Sequence, residues 1–597
     1  MRRIFIAFVI AFFLIGCVGS HQNNTDPEIT IAPGDMNKAG TSIPASEIGE
    51  PVGSVKLYPP RWVEASESTP AYAVVEGSIM PVDPEGWPIN FRVLLPETWS
   101  KRSMQQGGGG NNGVITVDEN NNRMFKVIKS TMLKKGFAMY GSDSGHQTLR
   151  GRPGGPMPEP LATGPTTGDE WALNDEAIRN LGYMQMKKTH DAAMVILKRI
   201  YGADPEYNYY IGNSQGGREA LTVAQRYPED YEGIISNVPI VNFSTLMLSP
   251  VLIRKQEIPE ANWVPTKKVR AITREFLRQT DELDGLADGI ISNYVAAREI
   301  FNVNDEIGPD DPWAALRAPN NTDPNPLDTT ASAKLTDGQI ETLEFSYSSY
   351  YFANPLANGV KSFGMWTPTT EPDGFGMITD TRYKGQEGAD EDAPVFTHLG
   401  SLGVTGFLMQ DLSANPLDYV EGGKWEKRRQ QLSQWLDSTD PDLSDFYQRG
   451  GKIIFTIGAI DNIASSGAQM DYYQSLIDEM GQDILDEFAR LYVVPNGNHI
   501  LFGSSYHENG NGKPIEVKPI PAPNHMQKID MLIDWVEHKA APAKTLVVDE
   551  KGNMGTDPNV KGYLLCSYPN YQEYTGGPVE MAASYKSAAP HLTKENE

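Results

Sequence analysis

A serine at a sharp turn has the surroundings of a catalytic nucleophile. Ser214 follows a strand-like run at residues 207–211, and Gly212 and Gly216 stand two residues before and two residues after it. Small residues at these two positions permit the strained strand-to-helix turn that lifts a serine hydroxyl clear of the backbone. Residues 218–226 then have the character of a helix. We interpret Ser214 as a nucleophile, and the alternative is an ordinary glycine-rich turn.

An acid and a base follow later in the chain, each just after a predicted strand. The apolar run 452–457 precedes Asp461, and the run 491–495 precedes His499. In this arrangement His499 would take the proton of Ser214, and Asp461 would hold the imidazole tautomer and stabilise the imidazolium. Taken singly, Asp461 is also compatible with a turn and His499 with a capped loop.

Three other histidines compete for the role of base. His146 precedes Ser214, whereas the chain order in strand-elbow hydrolases is nucleophile, acid, histidine, so we expect His146 to be structural. His507 lies in a Gly- and Asn-rich tip, and His525 opens a predicted helix that runs through Trp535. His499 is therefore the preferred base.

A glycine-rich segment at residues 107–113 follows an early predicted strand. In hydrolases of this type such a loop offers a backbone N–H to the oxyanion, together with the N–H of the residue after the nucleophile. The predicted oxyanion donors are therefore Gly110 and Gln215. A phosphate-binding loop would need a Lys-Ser/Thr pair after the glycines, which the segment lacks; a flexible surface turn stays an alternative.

Three aspartates lie three and four residues apart between glycines. Asp281, Asp284 and Asp288 are interleaved with Gly285 and Gly289, which allow the chain to curl. Carboxylates and carbonyls arranged in this way suit Ca²⁺ better than Mg²⁺ or Zn²⁺. The spacing differs from that of an EF-hand, so a solvated acidic turn remains open as the alternative.

The length and composition indicate a globular protein with more than one folded region. The chain has 597 residues, 39% of them hydrophobic, and a net charge of −26, which argues against nucleic acid as a partner. Residues 241–445 lack strand-helix alternation and separate the nucleophile strand from the acid strand. We predict an α/β-hydrolase fold with this lid domain inserted between its two parts, residues 76–240 and 446–597.

The N-terminus has the pattern of an export signal. Arg2 and Arg3 precede an apolar stretch, and residues 14–17 read Leu-Ile-Gly-Cys, which resembles the lipobox of bacterial lipoproteins. We predict a signal at residues 1–17, lipidation of Cys17 and anchoring to the outer membrane. Residues 18–75 would form a tether, reaching to about residue 55, and an N-terminal extension. An ordinary signal with an incidental cysteine is the alternative.

Four separated motifs resemble those of the tannase and feruloyl esterase family, over residues 75–575. They are Gly-Asn-Ser-Gln-Gly-Gly-Arg at 212–218, Gly-Ala-Ile-Asp at 458–461, Asp-Tyr-Tyr at 471–473 and the acidic segment at 281–290. The resemblance implies a calcium site in the lid, to which Asp281, Asp284 and Asp288 contribute carboxylates and Leu286 and Ile290 contribute carbonyls. It implies no organic cofactor.

The chain departs from the family at its cysteines. Where the family has a disulfide between the residue before the nucleophile and the residue after the histidine, this chain has Asn213 and Ile500. Thr280 and Ala297 occupy the positions of a further family disulfide, and Cys566 has no evident partner. We expect Asn213 to supply a hydrogen bond that helps to hold the two catalytic loops together.

The resemblance implies a serine carboxylic-ester hydrolase that forms an acyl-enzyme. Its substrates would be small-molecule or glycan-linked esters of substituted aromatic acids, of the feruloyl or galloyl type. Trp366 and Phe407 of the lid would stack on the acyl group or simply pack the lid. The alternatives are an acetyl-type carbohydrate esterase, a serine peptidase of the same fold, and a calcium-binding lipoprotein whose triad has lost activity.

Overall fold

A computed structural model of the protein describes residues 28–117, 123–147, 168–304, 311–367 and 402–590. The signal at residues 1–17, with Cys17, lies outside the described residues. At the centre is an 11-stranded sheet. In chain order its strands are β1 Ser42–Ile43, β2 Ser54–Leu57, β3 Arg61–Val63, β4 Tyr72–Met80, β5 Ile89–Pro96, β6 Arg102–Gln106, β7 Phe137–Ser142, β8 Tyr207–Asn213, β9 Gly233–Asn237, β10 Lys452–Gly458 and β11 Ala489–Val494.

The order of strands across the sheet is β11-β10-β9-β8-β6-β7-β5-β4-β2-β1, and β3 pairs with β4. The six strands from β11 to β7 run parallel, and β5 is antiparallel to β7. The carboxyl ends of parallel strands meet at one edge of a sheet. This edge therefore collects the residues after β6, β7, β8, β10 and β11. The mixed sheet with its helices is the predicted α/β-hydrolase architecture.

Helices connect the parallel strands and pack on the sheet. Along the helix Gln185–Tyr201, for example, Met186, Ala193, Ile196 and Leu197 are fully buried and give the helix an apolar face. The α-helices are α1 Arg123–Lys134, α2 Asp175–Arg179, α3 Gln185–Tyr201, α4 Gln215–Arg226, α5 Phe243–Glu257, α6 Val269–Thr280, α7 Tyr294–Phe301, α8 Asp337–Tyr347, α9 Glu426–Leu436, α10 Ser444–Gln448, α11 Ser466–Met480, α12 Gln482–Phe488 and α13 His525–His538.

The chain between β9 and β10 builds a separate helical layer. Among the described residues from 238 to 451, none joins the central sheet, and the only strands there are the pair Tyr350–Tyr351 and Ser362–Phe363. Helices α5 to α9 share a hydrophobic core with Trp171, which precedes α2. An insertion thus occupies the position that we predicted for the lid, and its covering role stays a prediction.

The N-terminal region differs from the tether that we expected for residues 18 to about 55. From residue 28 onward the chain is folded: Ile29–Thr30 pairs with Thr98–Trp99, and β1 and β2 extend the central sheet. Val55 and Leu57 are buried in the same core as β4 and β5. The folded extension therefore begins well before residue 56, and the predicted domain boundary at residue 76 falls inside β4.

The C-terminal part adds small sheets beside β11. Thr545–Asp549 pairs with Met554–Gly555 and with Gly562–Cys566, and Tyr571–Tyr574 pairs with Tyr585–Ala588. Gly503–Ser504 and Pro519–Ile520 form another pair. Cys566 is buried and forms no disulfide with another described residue. None of the helices in the described part of the chain has the length and apolar character needed to cross a membrane.

Candidate active site

Ser214 occupies a strained turn between β8 and α4. Its φ of 60° and ψ of −120° lie outside the usual regions for a residue other than glycine, and its N–H donates to the Asn237 carbonyl at 3.0 Å. The flanking glycines make this turn possible. A Cβ on Gly212 would stand 1.9 Å from the Gly216 oxygen, so no larger residue fits there. The strain exposes the Ser214 hydroxyl at the carboxyl edge of the sheet.

The structure brings Ser214, Asp461 and His499 together. The Nε2 atom of His499 lies 2.8 Å from the Ser214 Oγ, and its Nδ1 atom lies 3.0 Å from each carboxylate oxygen of Asp461. His499 lies 285 positions after Ser214 and 38 positions after Asp461 in the sequence, yet the three side chains form a continuous hydrogen-bonded chain. This arrangement allows His499 to remove the serine proton while Asp461 stabilises the resulting imidazolium.

Asp461 is held in its ionised form. Its side chain is completely buried, and burial alone would raise its pKa, but His499 and the backbone N–H groups of Ile463 and Ala464 keep that pKa below the ordinary value. The amide of Gln469 donates a further hydrogen bond to the carboxylate at 3.1 Å. A fixed negative charge therefore faces the imidazole of His499.

The loops that carry the acid and the base are joined directly. The N–H of Ile460 donates to the Gly497 carbonyl at 3.0 Å. A Cβ on Gly458 would lie 2.1 Å from that same carbonyl oxygen, so glycine is needed where the two loops meet. This contact sets the separation of Asp461 and His499 at the ends of β10 and β11.

The glycine-rich loop packs against the first turn of α4. The N–H of Gly216 donates to the Gly108 carbonyl at 3.0 Å. Gly110 has a φ of 58° in a turn that is closed by the bond from the Asn112 N–H to the Gly109 carbonyl. Gln215 is the first residue of α4, so its N–H has no acceptor within the helix. The loop thus lies next to the nucleophile turn, as an oxyanion-binding loop would.

A sequence profile described as "Tannase and feruloyl esterase" matches residues 73–588. The chain belongs to the tannase and feruloyl esterase family. It is therefore a carboxylic ester hydrolase, and Ser214, Asp461 and His499 form its candidate active site.

The relatives of this family member agree in length as well as in sequence. It is 32% identical to an uncharacterised esterase from Agrobacterium fabrum, with 92% of each chain covered, and 24% identical to a mono(2-hydroxyethyl) terephthalate hydrolase from Piscinibacter sakaiensis, with 89% of this chain and 88% of the relative covered. The crystal structure of feruloyl esterase B from Aspergillus oryzae matches with a TM-score of 0.65 at 19% identity, over 91% of this chain and 100% of that chain. These structures share the α/β-hydrolase fold.

Asn213 and Ile500 stand at the two positions where the resemblance places family cysteines, and no hydrogen bond joins these two described residues. Ile500 is 73% exposed. The Asn213 side chain makes no hydrogen bond with any described residue, so the hydrogen bond that we expected from Asn213 is absent. Since Asn213 ends β8 and pairs through its backbone with Asn237, its position is set by the sheet.

A different asparagine, which the sequence reasoning missed, anchors the histidine loop. Asn496 is fully buried with a φ of 46°, and its side-chain amide donates to the Gly289 and Ser504 carbonyls at 2.8 and 3.2 Å. Its oxygen accepts from the N–H of Ile291 at 2.9 Å. The Asn-Gly pair just after a strand is a sequence signal for a left-handed turn, but it does not reveal these partners.

The competing histidines are unsuited to act as the base. His146 is fully buried and stacked on Trp171 with the ring centroids 3.6 Å apart, and burial lowers its pKa to about 3. His525 opens α13, and burial likewise lowers its pKa to about 3. His507 is exposed in its loop. Among these, only His499 contacts Ser214.

The acidic segment forms a buried loop beside the histidine loop. Burial and the neighbouring carboxylates raise the pKa of Asp284 to about 8, and burial raises that of Asp288 to about 7. Asp281 is fully buried, and its two oxygens accept from the N–H groups of Gly289 and Gly510. The burial of Asp281 and Asp284 differs from the solvated acidic turn that was the alternative, whereas Asp288 is half-buried.

The donor set of this loop fits a hard cation. The carbonyls of Leu286 and Ile290 accept no hydrogen bond from the described residues, so both are available as ligands. The carboxylate oxygens of Asp281, Asp284 and Asp288 do not all lie within 4.8 Å of one another. The one described group of that kind is His190, Asp191 and Asp230, and there Lys187 already donates to both aspartates at 2.8 and 3.0 Å.

The two lid aromatics are buried. Phe407 packs edge-on against Trp171 with the centroids 5.3 Å apart. Trp366 is 4% exposed. On one side of it the Met365 carbonyl accepts a hydrogen bond from the Ser465 hydroxyl, and on the other side the Thr367 hydroxyl donates to the Ala459 carbonyl of the acid loop. The lid segment around Trp366 therefore lies beside the loop that carries Asp461.

Proposed function

We propose that this protein hydrolyses carboxylic esters through a covalent acyl-enzyme on Ser214. One observation carries the proposal: the Nε2 atom of His499 lies 2.8 Å from the Ser214 Oγ while its Nδ1 atom faces the carboxylate of Asp461 at 3.0 Å. Nucleophile, base and orienting acid are thereby in hydrogen-bond reach of one another.

The reaction proceeds in two steps. The Ser214 Oγ attacks the ester carbonyl as His499 accepts its proton, and the N–H groups of Gly110 and Gln215 stabilise the tetrahedral oxyanion. His499 then gives the proton to the leaving alcohol, which leaves the acyl group on Ser214. Water activated by His499 attacks the acyl-enzyme and releases the carboxylic acid.

The acyl group is that of a substituted aromatic acid, of the ferulate or gallate type. Membership of the tannase and feruloyl esterase family supports this assignment. Among the relatives, several are described as probable feruloyl esterases, with 23% to 24% identity. The region around Trp366, next to the acid loop, is where the lid would contact the acyl group.

A structural Ca²⁺ ion binds the acidic loop of the insertion. Asp281, Asp284 and Asp288 would hold it with carboxylate oxygens, and Leu286 and Ile290 with backbone carbonyls. The ion would neutralise the buried carboxylates of Asp281 and Asp284 and the half-buried carboxylate of Asp288. Its role is structural, since the loop braces the loop of His499.

The mature protein is exported and anchored by lipid on Cys17. The charged residues Arg2 and Arg3, the apolar stretch and the Leu-Ile-Gly-Cys sequence at 14–17 support this assignment. More than one acyl chain on the cysteine would give stable attachment to the outer membrane. The ester substrates would then be met outside the cytoplasm.

The test compares the wild type with Ser214→Ala on p-nitrophenyl acetate, methyl ferulate, methyl gallate and the corresponding ferulic amide. The expected result is a loss of at least about 10³-fold in kcat/KM for every ester in the variant. The aromatic esters should give the higher kcat/KM and the amide none. Retained activity in Ser214→Ala would refute the mechanism, and preference for the acetyl ester would refute the substrate class.

A further inference from the structure

A buried carboxylate stands behind the glycine-rich loop. Glu219 is fully buried on α4, five residues after Ser214. Its carboxylate accepts hydrogen bonds from four donors on three separate segments, which are the glycine-rich loop, β8 and α3. The donors are the Gly108 N–H at 3.0 Å, the Asn112 side chain at 2.5 Å, the Tyr210 hydroxyl at 3.0 Å and the Gln185 side chain at 3.2 Å.

Two of these four donors belong to the loop that carries Gly110. Gly108 precedes Gly110 by two residues and Asn112 follows it by two, and each bonds to a different oxygen of Glu219. The turn around Gly110 is thus held at both ends by one side chain. Glycine at 107 makes room for this side chain, because a Cβ there would stand 2.8 Å from the Glu219 Oε2.

The burial of the Glu219 carboxylate costs free energy, because the charged group loses its contact with water. An apolar side chain would pack there without the desolvation penalty of a charge, and burial does raise the pKa of Glu219. The guanidinium of the neighbouring Arg218 donates hydrogen bonds to the carbonyls of Gly182, Leu181 and Leu436. The bonds of Glu219 therefore go to backbone and side-chain donors, and two of them fix the glycine loop.

We propose that Glu219 is a positioning residue that holds the Gly110 N–H at the distance and angle the oxyanion requires. The proposal rests on the proposed function, in which Gly110 is an oxyanion donor. An oxyanion donor is effective only if it is fixed before the reaction, because a loose loop must be ordered in the transition state. Glu219 acts on the reaction through the loop and does not touch the substrate.

Glu219→Gln tests this with little change in volume. All four partners are donors, so the amide introduced at position 219 opposes at least one of them with another donor. With p-nitrophenyl acetate we expect kcat to fall about 10- to 100-fold, within the range for a disturbed oxyanion donor, while KM changes by less than about threefold. Phenylboronic acid, which mimics the tetrahedral intermediate, should bind correspondingly more weakly.

Glu257→Gln is the matched control. Glu257 is also a buried carboxylate, 2% exposed, but it lies on α5 of the insertion, outside the catalytic groups. Its variant should keep wild-type kcat and wild-type inhibition by phenylboronic acid. If Glu219→Gln gives no folded protein, Tyr210→Phe removes one of the four donors, and a kcat several-fold below the wild type is then expected.

The outcomes separate the two proposals. If Glu219→Gln keeps wild-type kcat and boronate affinity while Ser214→Ala is inactive, the positioning role is refuted and the serine mechanism stands. If Glu219→Gln only lowers the thermal stability, with kcat unchanged at a temperature where it is folded, the role is structural and the proposal fails. Activity in Ser214→Ala would overturn both.

Discussion

Asn496 accepts a hydrogen bond from the backbone N–H of Ile291 at 2.9 Å. This bond joins the loop of His499 to the acidic loop of the insertion, 205 residues away in sequence. The N–H of Tyr506 donates to the Gly289 carbonyl at 3.1 Å, and the Gly510 N–H donates to Asp281 at 2.5 Å, so the two loops are in contact along their length. The chain therefore braces its histidine loop without the family disulfide.

Replacement of Asn496 by glycine should weaken both stability and catalysis. Glycine tolerates the φ of 46° but has no side-chain amide. The Ile291 N–H therefore loses its acceptor inside the protein, and the Gly289 carbonyl loses one of its two donors. We expect the free energy of unfolding to fall by about 2 to 3 kcal/mol and kcat to fall with it. Guanidinium denaturation and ester hydrolysis measure the two effects.

Asn320→Gly is the control for that change. Asn320 also has a positive φ, 53°, but it is exposed on the insertion. Its replacement should leave kcat unchanged and stability within about 0.5 kcal/mol. Equal effects at positions 496 and 320 would show that the bonds of Asn496 contribute nothing specific.

Lys528 should make stability depend on pH. Its ammonium is buried against Asn237 and Thr456 at 2.5 and 3.1 Å, and burial lowers its pKa from 10.5 to about 7. Between these values the unfolded chain binds a proton that the folded chain does not, so stability rises with pH. From pH 7.5 to 9.5, the free energy of unfolding of the wild type minus that of Lys528→Met should therefore rise by about 1.4 kcal/mol per pH unit.

Denaturation at several pH values measures this slope. The exposed Lys551, replaced by methionine in the same way, serves as the control for the loss of a lysine. A pH-independent difference for Lys528→Met would mean that Lys528 stays protonated when buried.

Calcium should stabilise the folded protein. After treatment with EGTA, addition of Ca²⁺ at about 100 times its Kd should raise the free energy of unfolding by about 2.7 kcal/mol, which thermal unfolding reports as a higher Tm. Asp288→Asn should abolish the shift, whereas the exposed Asp557→Asn should keep it. An equal shift with Mg²⁺, or a shift that survives Asp288→Asn, would argue against this site.

The grouping of Ser214, Asp461 and His499 could be predicted because parallel strands end at one edge of the sheet. Each of Ser214, Asp461 and His499 follows a recognisable apolar strand, and their chain order matched the hydrolase pattern. The strand-like run 207–211 and the apolar run 452–457 lie within the strands Tyr207–Asn213 and Lys452–Gly458. Local sequence sufficed wherever the strand was long and buried.

Other features depend on contacts that sequence does not display. The short strands β1 and β2 lie in a segment rich in Pro, Gly and Ser, and they are strands because β2 pairs with β4 and β1 pairs with β2. In the sequence Glu219 looks like one polar residue of a helix, because its partners lie on three other segments, the glycine-rich loop, β8 and α3. The side chain of Asn213 makes no hydrogen bond with a described residue, whereas that of Asn496 joins the histidine loop to the acidic loop.

Lipidation of Cys17 should be visible in cells that process lipoproteins. Growth with an alkyne-bearing fatty acid should label the wild-type protein, and Cys17→Ala should remove the label while leaving Cys566 intact. A label that persists in Cys17→Ala, or its absence from the wild type, would contradict the anchor.

The mass of the protein after reaction with a fluorophosphonate tests the nucleophile most directly. The account predicts one adduct per chain, mapped by peptide sequencing to Ser214, with no adduct in Ser214→Ala and much slower labelling in His499→Ala. An adduct on another serine, or none on a folded wild-type protein, would contradict the claim that Ser214 is the catalytic nucleophile.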